Sequence, residues 1–198
     1  PLTGLSEHDV IRHTEELMHS DYGYRMVADV PVGVFLSGGY DSASVAALLQ
    51  SNTSSRIKTF TIGYKEPQWD ESREAKKIAM HLGTEHHEWI VGPSESKDVL
   101  HLLPEIYDEP FADNSTVPTA LVSKFASKEV KVVLSADGGD EVFAGYNKFN
   151  QSLRYTRSFP RPLQRTLSAA MSLVSPEAIP YFNGQYNDAS RYEGMKLI

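Results

Sequence analysis

Apolar positions along the chain recur at two spacings, and the two alternate. Val32 to Leu36 is a continuous apolar run of the kind a buried parallel strand requires. Ile57 to Gly63, Glu85 to Val91 and Val130 to Leu134 read as three more strands. Helical patterns fall between them. Ser6-Glu7-His8-Asp9 has the form of an N-cap opening a long helix, with Val10, Ile11, Leu17, Met18, Met26 and Val27 as its apolar positions, ending before Pro31. Asp41 to Gln50, Asp70 to Leu82, Leu100 to Tyr107 and Val117 to Lys128 are the other predicted helices, and Gly83 closes the second of these. Strands alternating with helices predict an α/β fold, a doubly wound parallel sheet with right-handed crossovers. In such sheets ligands sit at the carboxyl ends of the strands. After Tyr146 the pattern changes: Ser152 to Val174 is interrupted by Pro160 and Pro162, and Ser175 to Ile198 is rich in Tyr, Asn, Gly and Arg. The expected organisation is an N-terminal helix packing on the domain over residues 1–30, the α/β domain over 31–150, and a helical appendage over 151–198.

Composition narrows the partners. With 198 residues, 40% of them hydrophobic and 23% charged, the chain can bury a core. Its 19 basic and 26 acidic residues give a net charge of -7, which argues against a nucleic-acid backbone or an anionic membrane as partner. No apolar stretch approaches membrane-spanning length and the start lacks the regions of a signal peptide, so the expectation is cytoplasmic. The absence of cysteine excludes disulfides, zinc thiolate sites and a Cys nucleophile. The ends of the chain suggest a piece of something longer.

Two glycine-rich turns carry the candidate chemistry. The first, Ser37-Gly38-Gly39-Tyr40-Asp41-Ser42, joins the first predicted strand to the helix after it. Adjacent glycines let backbone N–H groups close on an anion with no Cβ in the way, and the helix presents its positive end there. Ser37 and Ser42 add hydroxyl donors, while Asp41 suits the Mg²⁺ that accompanies a phosphate. A plain strand-to-helix turn also uses Gly, Ser and Asp as turn formers and caps. What favours a phosphate cradle is that every polar position also serves a phosphate and its metal. Neither G-x-x-x-x-G-K-[ST] nor G-x-G-x-x-G occurs in the chain, so kinase-like phosphoryl transfer and dinucleotide redox chemistry lose ground.

The second turn, Asp137-Gly138-Gly139-Asp140-Glu141, places three carboxylates beside two glycines directly after the fourth strand. Three neighbouring carboxylates repel one another unless a cation holds them. A solvated acidic turn is one reading; the other pairs Asp140 with Asp41 as Mg²⁺ ligands, since Mg²⁺ takes one or two carboxylates plus substrate phosphates.

Together, Ser37 to Ser42 and the run Leu134-Ser135-Ala136-Asp137-Gly138-Gly139-Asp140-Glu141-Val142-Phe143-Ala144-Gly145-Tyr146 resemble the synthetase domain of glutamine-hydrolysing asparagine synthetases. The first element is similar to the pyrophosphate (PP) loop of the ATP pyrophosphatase superfamily. The likeness runs from about Ser6 to Phe149, through Gly63, the Glu71 to Gly83 stretch, and Asp108-Glu109-Pro110 to Pro118. It implies a sheet of the adenine nucleotide alpha hydrolase-like type. It implies ATP as cofactor, bound at the pyrophosphate end by Ser37, Gly38, Gly39, Asp41 and Ser42, with Gly138 a further cofactor-binding position and Asp41 and Asp140 on Mg²⁺. Phe35, Ile62 and Ala136 match positions that line the adenosine pocket, largely through backbone groups. Asp137 falls where these synthetases carry a catalytic glutamate, and Glu141 and Tyr146 match catalytic positions around the acyl-adenylate. In the family's chemistry a substrate carboxylate attacks the α-phosphorus, pyrophosphate leaves, and ammonia displaces AMP. The implied partners are aspartate or a related small carboxylate, ammonia, the N-terminal glutaminase domain of the parent protein, and a second copy as a homodimer. Asp137 in place of glutamate looks more like relatives that amidate sugars, peptides or other acids. Two alternatives remain open: another PP-loop adenylating ligase, and a nucleotide-binding module without turnover.

Other features read more simply. His86 and His87 are adjacent on a predicted strand and point to opposite faces, so only one can face a given ligand. Trp69 and Trp89 are expected to be packing residues. Arg154, Arg157, Arg161 and Arg165 read as a solvated face.

Overall fold

The computed structural model describes residues 4–109, 113–158, 160 and 162–166. The chain divides into two units, Pro1–Ala136 and Asp137–Ile198. The first unit is built on four parallel strands, β1 (Val32–Phe35), β2 (Lys58–Tyr64), β3 (Glu85–Val91) and β4 (Val132–Leu134), in the order β3-β2-β1-β4. Val34 of β1 lies opposite Thr59 on one side and Leu134 on the other. The β2–β3 pairing runs in register from Lys58↔Glu85 to Tyr64↔Val91. Helices cover both faces, which is the doubly wound arrangement expected from the sequence. They are α1 (Glu7–Arg25), α2 (Tyr40–Ser51), α3 (Ser72–Leu82), α4 (Pro93–Leu100), α5 (Leu103–Ile106) and α6 (Thr116–Ala126).

Period-two alternation along the strands sorts side chains between the two layers. On one face Val34, Leu36 and Ile57 pack with Val45, Ala46 and Leu49 of α2 and with Ala75 and Ala79 of α3, while Tyr22 and Met26 close over them. On the other, Phe60 packs with Ala126 and Val130, and Val91 with Val99 and Leu121. Gly33 is required by this second layer: a Cβ there would come within 2.6 Å of Phe60 Cε2. Phe60 is fully buried and has no room to yield.

Several boundaries differ from expectation for local reasons. The capping box at Ser6 forms, its hydroxyl accepting from Asp9 N–H at 3.2 Å, but α1 stops at Arg25 instead of running on toward Pro31. α4 was not foreseen; it starts at Pro93 after Glu95 takes the Gly92 N–H at 3.1 Å, and it buries only Val99, so no apolar rhythm announces it. The expected helix from Leu100 reduces to the four residues of α5. β4 begins at Val132, because the Val130 N–H returns to Ala126 O at 3.0 Å and finishes the turn that ends α6. Trp89 packs against Phe125 as expected, with ring centroids 5.8 Å apart. Trp69 does not pack: it is 68% exposed in the segment between β2 and α3. His86 and His87 do point to opposite faces, His86 toward Thr59 and His87 stacked on Phe60 at 5.0 Å.

The second unit carries α7 (Gly139–Phe143) and α8 (Asn147–Ser158). The expectation for Ser175 to Ile198, and that for Arg161, lie outside the described residues.

Candidate nucleotide site

Leu36 is the last buried residue before the first turn, and its N–H is held by Phe60 O at 3.0 Å. The chain then swings through Ser37 and Gly38 into Gly39, which caps α2 in an extended conformation with no side-chain hydrogen bond. The two serines interlock. Ser42 Oγ accepts the Ser37 N–H at 3.0 Å and lies 2.8 Å from Ser37 Oγ, and Ser37 Oγ in turn accepts the Gly39 N–H at 3.1 Å. Ser42 is buried, so this knot fixes the turn from the inside. The Thr61 hydroxyl donates to Leu36 O from the neighbouring strand and ties the turn to β2.

What the knot leaves free is a set of backbone donors. The N–H groups of Gly38, Tyr40, Asp41 and Ser42 have no acceptor among the described residues, as expected for the open first turn of a helix. Gly38 leaves little space for a side chain, since a Cβ would sit 3.0 Å from Glu74 Cβ and 3.5 Å from Glu71 O. The Asp41 carboxylate, in the first turn of α2, makes no hydrogen bond or ion pair with a described residue. It is therefore free to take a cation. A row of free N–H donors at the positive end of a helix of 12 residues, with a carboxylate beside it, is chemistry for a phosphate and a divalent ion.

The matched adenosine positions fall on the same unit. Phe35 ends β1 and packs beside Phe60 and Val130; Ile62, on β2, packs beside Val91 and Leu121; Ala136 follows β4 against the Val34 layer. Because β4 pairs with β1, Ser135 and Ala136 leave the sheet at the same rim as the Ser37 turn.

Sequence reading overlooked Asp70 at this rim. Its carboxylate accepts the Ser72 N–H at 3.1 Å and the Tyr64 N–H at 3.4 Å, pinning the end of β2 to the start of α3, where the capping residue Glu71 and Glu74 of the helix abut Gly38. Hydrogen bonds from Ser72, its side chain first, hold the Asp70 carboxyl below its ordinary value. The available signal was an aspartate two residues before a helical run at the end of a strand.

The second turn is described within its own unit. Gly138 takes φ 90° as the cap of α7, and Ala144 takes φ 55° at its other end. A Cβ at Gly145 would collide with Asp140 Oδ1, so the Asp140 carboxylate lies against the returning backbone. Tyr146 donates its hydroxyl to Glu141 Oε1 at 2.7 Å, which holds the Glu141 carboxyl below its ordinary value, and Lys148 Nζ sits 4.6 Å from the Tyr146 ring centroid. Asp137 is exposed. Asp41 belongs to the first unit and Asp140 to the second.

A family model described as asparagine synthase matches residues 13–194. The chain is 39% identical over 210 residues to an asparagine synthetase (glutamine-hydrolysing) 2 of Methanocaldococcus jannaschii, covering 94% of this chain and 40% of that protein. It is 33% identical to asparagine synthetase (glutamine-hydrolysing) 1 of Bacillus subtilis, covering 87% of this chain and 27% of that protein. The chain thus spans well under half the length of these relatives. Among solved structures, an NH3-dependent NAD synthetase from Campylobacter jejuni is similar with a TM-score of 0.45 and 16% identity, over 69% of this chain and 60% of that one.

Proposed function

The chain belongs to the asparagine synthase family, and from that premise we propose that its parallel-sheet unit holds ATP and Mg²⁺ for the amidation of a small carboxylic acid. ATP, when bound, supplies the adenylyl group that activates the carboxylate and the pyrophosphate that leaves. The residues of this chain do the holding. The N–H groups of Gly38, Tyr40, Asp41 and Ser42 donate to pyrophosphate oxygens, while the Ser37–Ser42 knot keeps those donors aimed without reorganisation. Asp41 and Asp140 are the carboxylates assigned to Mg²⁺. Backbone groups of Phe35, Ile62 and Ala136 serve the adenosine. Gly138 admits the close approach of the second turn's backbone, and Asp137, Glu141 and Tyr146 serve the activated acid and its nitrogen nucleophile. Glu141 is suited to that task because the Tyr146 hydroxyl keeps it ionised and fixes its direction. Ammonia comes from the glutaminase portion of the parent protein, which the names of the relatives support.

The observation that carries this reading is the set of free backbone donors on a turn held rigid by buried hydroxyls. Calorimetric titration with Mg-ATP tests it: Asp41→Ala and Asp140→Ala are each expected to weaken binding about tenfold, or 1.4 kcal/mol. Unchanged affinity in both variants refutes the metal assignment. Pyrophosphate release from the full-length parent against a panel of carboxylic acids then identifies the acceptor, and strict dependence on a nucleobase carbonyl would point to the other adenylating ligases instead.

A further inference from the structure

The N–H groups along the Ser37 turn are supported unequally. Those of Ser37 and Gly39 are taken by Ser42 Oγ and Ser37 Oγ, so the serine knot fixes them directly. Those of Tyr40, Asp41 and Ser42 belong to the first turn of α2 and take their direction from the helix. The Gly38 N–H has neither support. What stands against Gly38 is another element: a Cβ placed there would lie 3.0 Å from Glu74 Cβ and 3.5 Å from Glu71 O. The capping residue and first turn of α3 therefore form a wall beside Gly38, and in close-packed surroundings the place of that wall sets the direction of the Gly38 N–H.

The wall is in turn held by one oxygen. Asp70 Oδ1 accepts from Ser72, the first residue of α3, and from Tyr64, the last residue of β2, so it joins helix to strand. There is no slack beneath it: a Cβ at Gly63 would lie 2.8 Å from Asp70 Oδ1 and 2.6 Å from Ser72 Oγ, and Ser72 is buried. The Asp70 side chain is 10% exposed, while Arg73, whose Nε stands 3.8 Å from Oδ2, is 80% exposed and contributes little. The clamp is thus made of hydrogen bonds to main-chain N–H groups, which a neutral acceptor of the same shape can also receive.

We infer that Asp70 is a positioning residue for the Ser37 turn: by fixing the start of α3 against β2 it aims the Gly38 N–H, the donor that neither the serine knot nor α2 holds. The inference rests on the reading of that turn as a pyrophosphate cradle. Asp70 acts through the backbone of Glu71 and the Cβ of Glu74 and touches no ligand, so its loss should disable one donor and spare the other three. Its charge has the wrong sign to attract an anion, and removing that charge alone would favour binding. Weaker binding on loss of Asp70 is therefore a geometric effect.

Backbone amide NMR of the whole chain, before and after addition of Mg-pyrophosphate, tests it. Without ligand, Asp70→Ala should move the Gly38 amide signal and leave those of Ser37 and Gly39, whereas Asp70→Asn, which keeps an oxygen in the place of Oδ1 and drops the charge, should leave all three near their wild-type positions. With ligand, Asp70→Ala should bind about tenfold more weakly, its Gly38 signal no longer following those of Tyr40, Asp41 and Ser42, and Asp70→Asn should restore both. Because Asp70→Ala also weakens the fold, Glu74→Gly serves as a second variant: it removes the Cβ beside Gly38, keeps the Asp70 clamp, and should loosen Gly38 in the same selective way, while Glu74→Ala, which keeps that Cβ, should not. If the wild-type turn does not respond to Mg-pyrophosphate, the reading of the turn fails and takes the positioning role with it. If the wild-type turn responds but Asp70→Ala weakens all four signals alike, or neither Asp70→Ala nor Glu74→Gly alters Gly38, Asp70 supports the fold alone and the inference is overturned.

Discussion

The two glycine turns look alike on paper and are held together in different ways. The first rests on the buried sheet: Leu36 and Ser42 are 2% and 8% exposed, the hydroxyls of Ser37 and Ser42 bond each other, and Thr61 reaches across from the next strand. The second is held by its own backbone, with left-handed residues at Gly138 and Ala144 bracketing a helix of five residues and exposed side chains tied locally, as Glu141 is by Tyr146. A turn fixed by the core presents its donors at a constant geometry. A turn fixed by itself can adjust to what it meets, and its residues answer to local conformational cost.

The largest expected effect that separates the two is Ser42→Ala. It strips the Ser37 N–H of its acceptor inside a half-buried turn, and should cost about 1–3 kcal/mol in urea unfolding; a change near zero would mean that the knot is ornamental. Next is Gly138→Ala. No atom lies within 4 Å of the added Cβ, so only the left-handed φ opposes it, and the loss should be about 1 kcal/mol. A loss well above that would show that the second turn is also packed into a core. The smallest effect is a pH dependence at Asp70. Hydrogen bonds from Ser72 hold its folded carboxyl below the ordinary aspartate value, so its contribution is complete above that ordinary value and is lost as pH falls through the lower folded one. Asp70→Asn should therefore destabilise at neutral pH and converge with the wild type in acid; parallel acid profiles for the two would contradict the hydrogen bonding assigned to Asp70.

Much of the parallel-sheet unit was legible in the residues because local and global preferences agree there. Val32 to Leu36 is apolar enough to be buried on both sides, and Gly83 stops α3 in the left-handed conformation, φ 73°, that favours glycine. α4 was hidden because a short helix that buries only Val99 leaves no periodic trace, although Pro93 and Glu95 are start signals. α7 was hidden because paired glycines read as loop, and its left-handed caps, Gly138 and Ala144, leave no trace in the pattern of apolar residues. That the first turn joins a buried strand to a helix was readable, but how its side chains bond within the turn was not. Which hydroxyl faces inward depends on the path of the backbone, and that path puts Ser42 inside the knot. Asp70 escaped notice for the same reason: it matters through Tyr64, 6 residues away, which the fold brings to it.

The central claim is that four main-chain N–H groups on the first turn receive a pyrophosphate. Backbone amide NMR during titration with Mg-pyrophosphate addresses it most directly. The amide signals of Gly38, Tyr40, Asp41 and Ser42 should shift together and saturate at one affinity, while that of Ser37, already bonded to Ser42, moves least. Saturable binding that leaves those four signals in place would contradict the account.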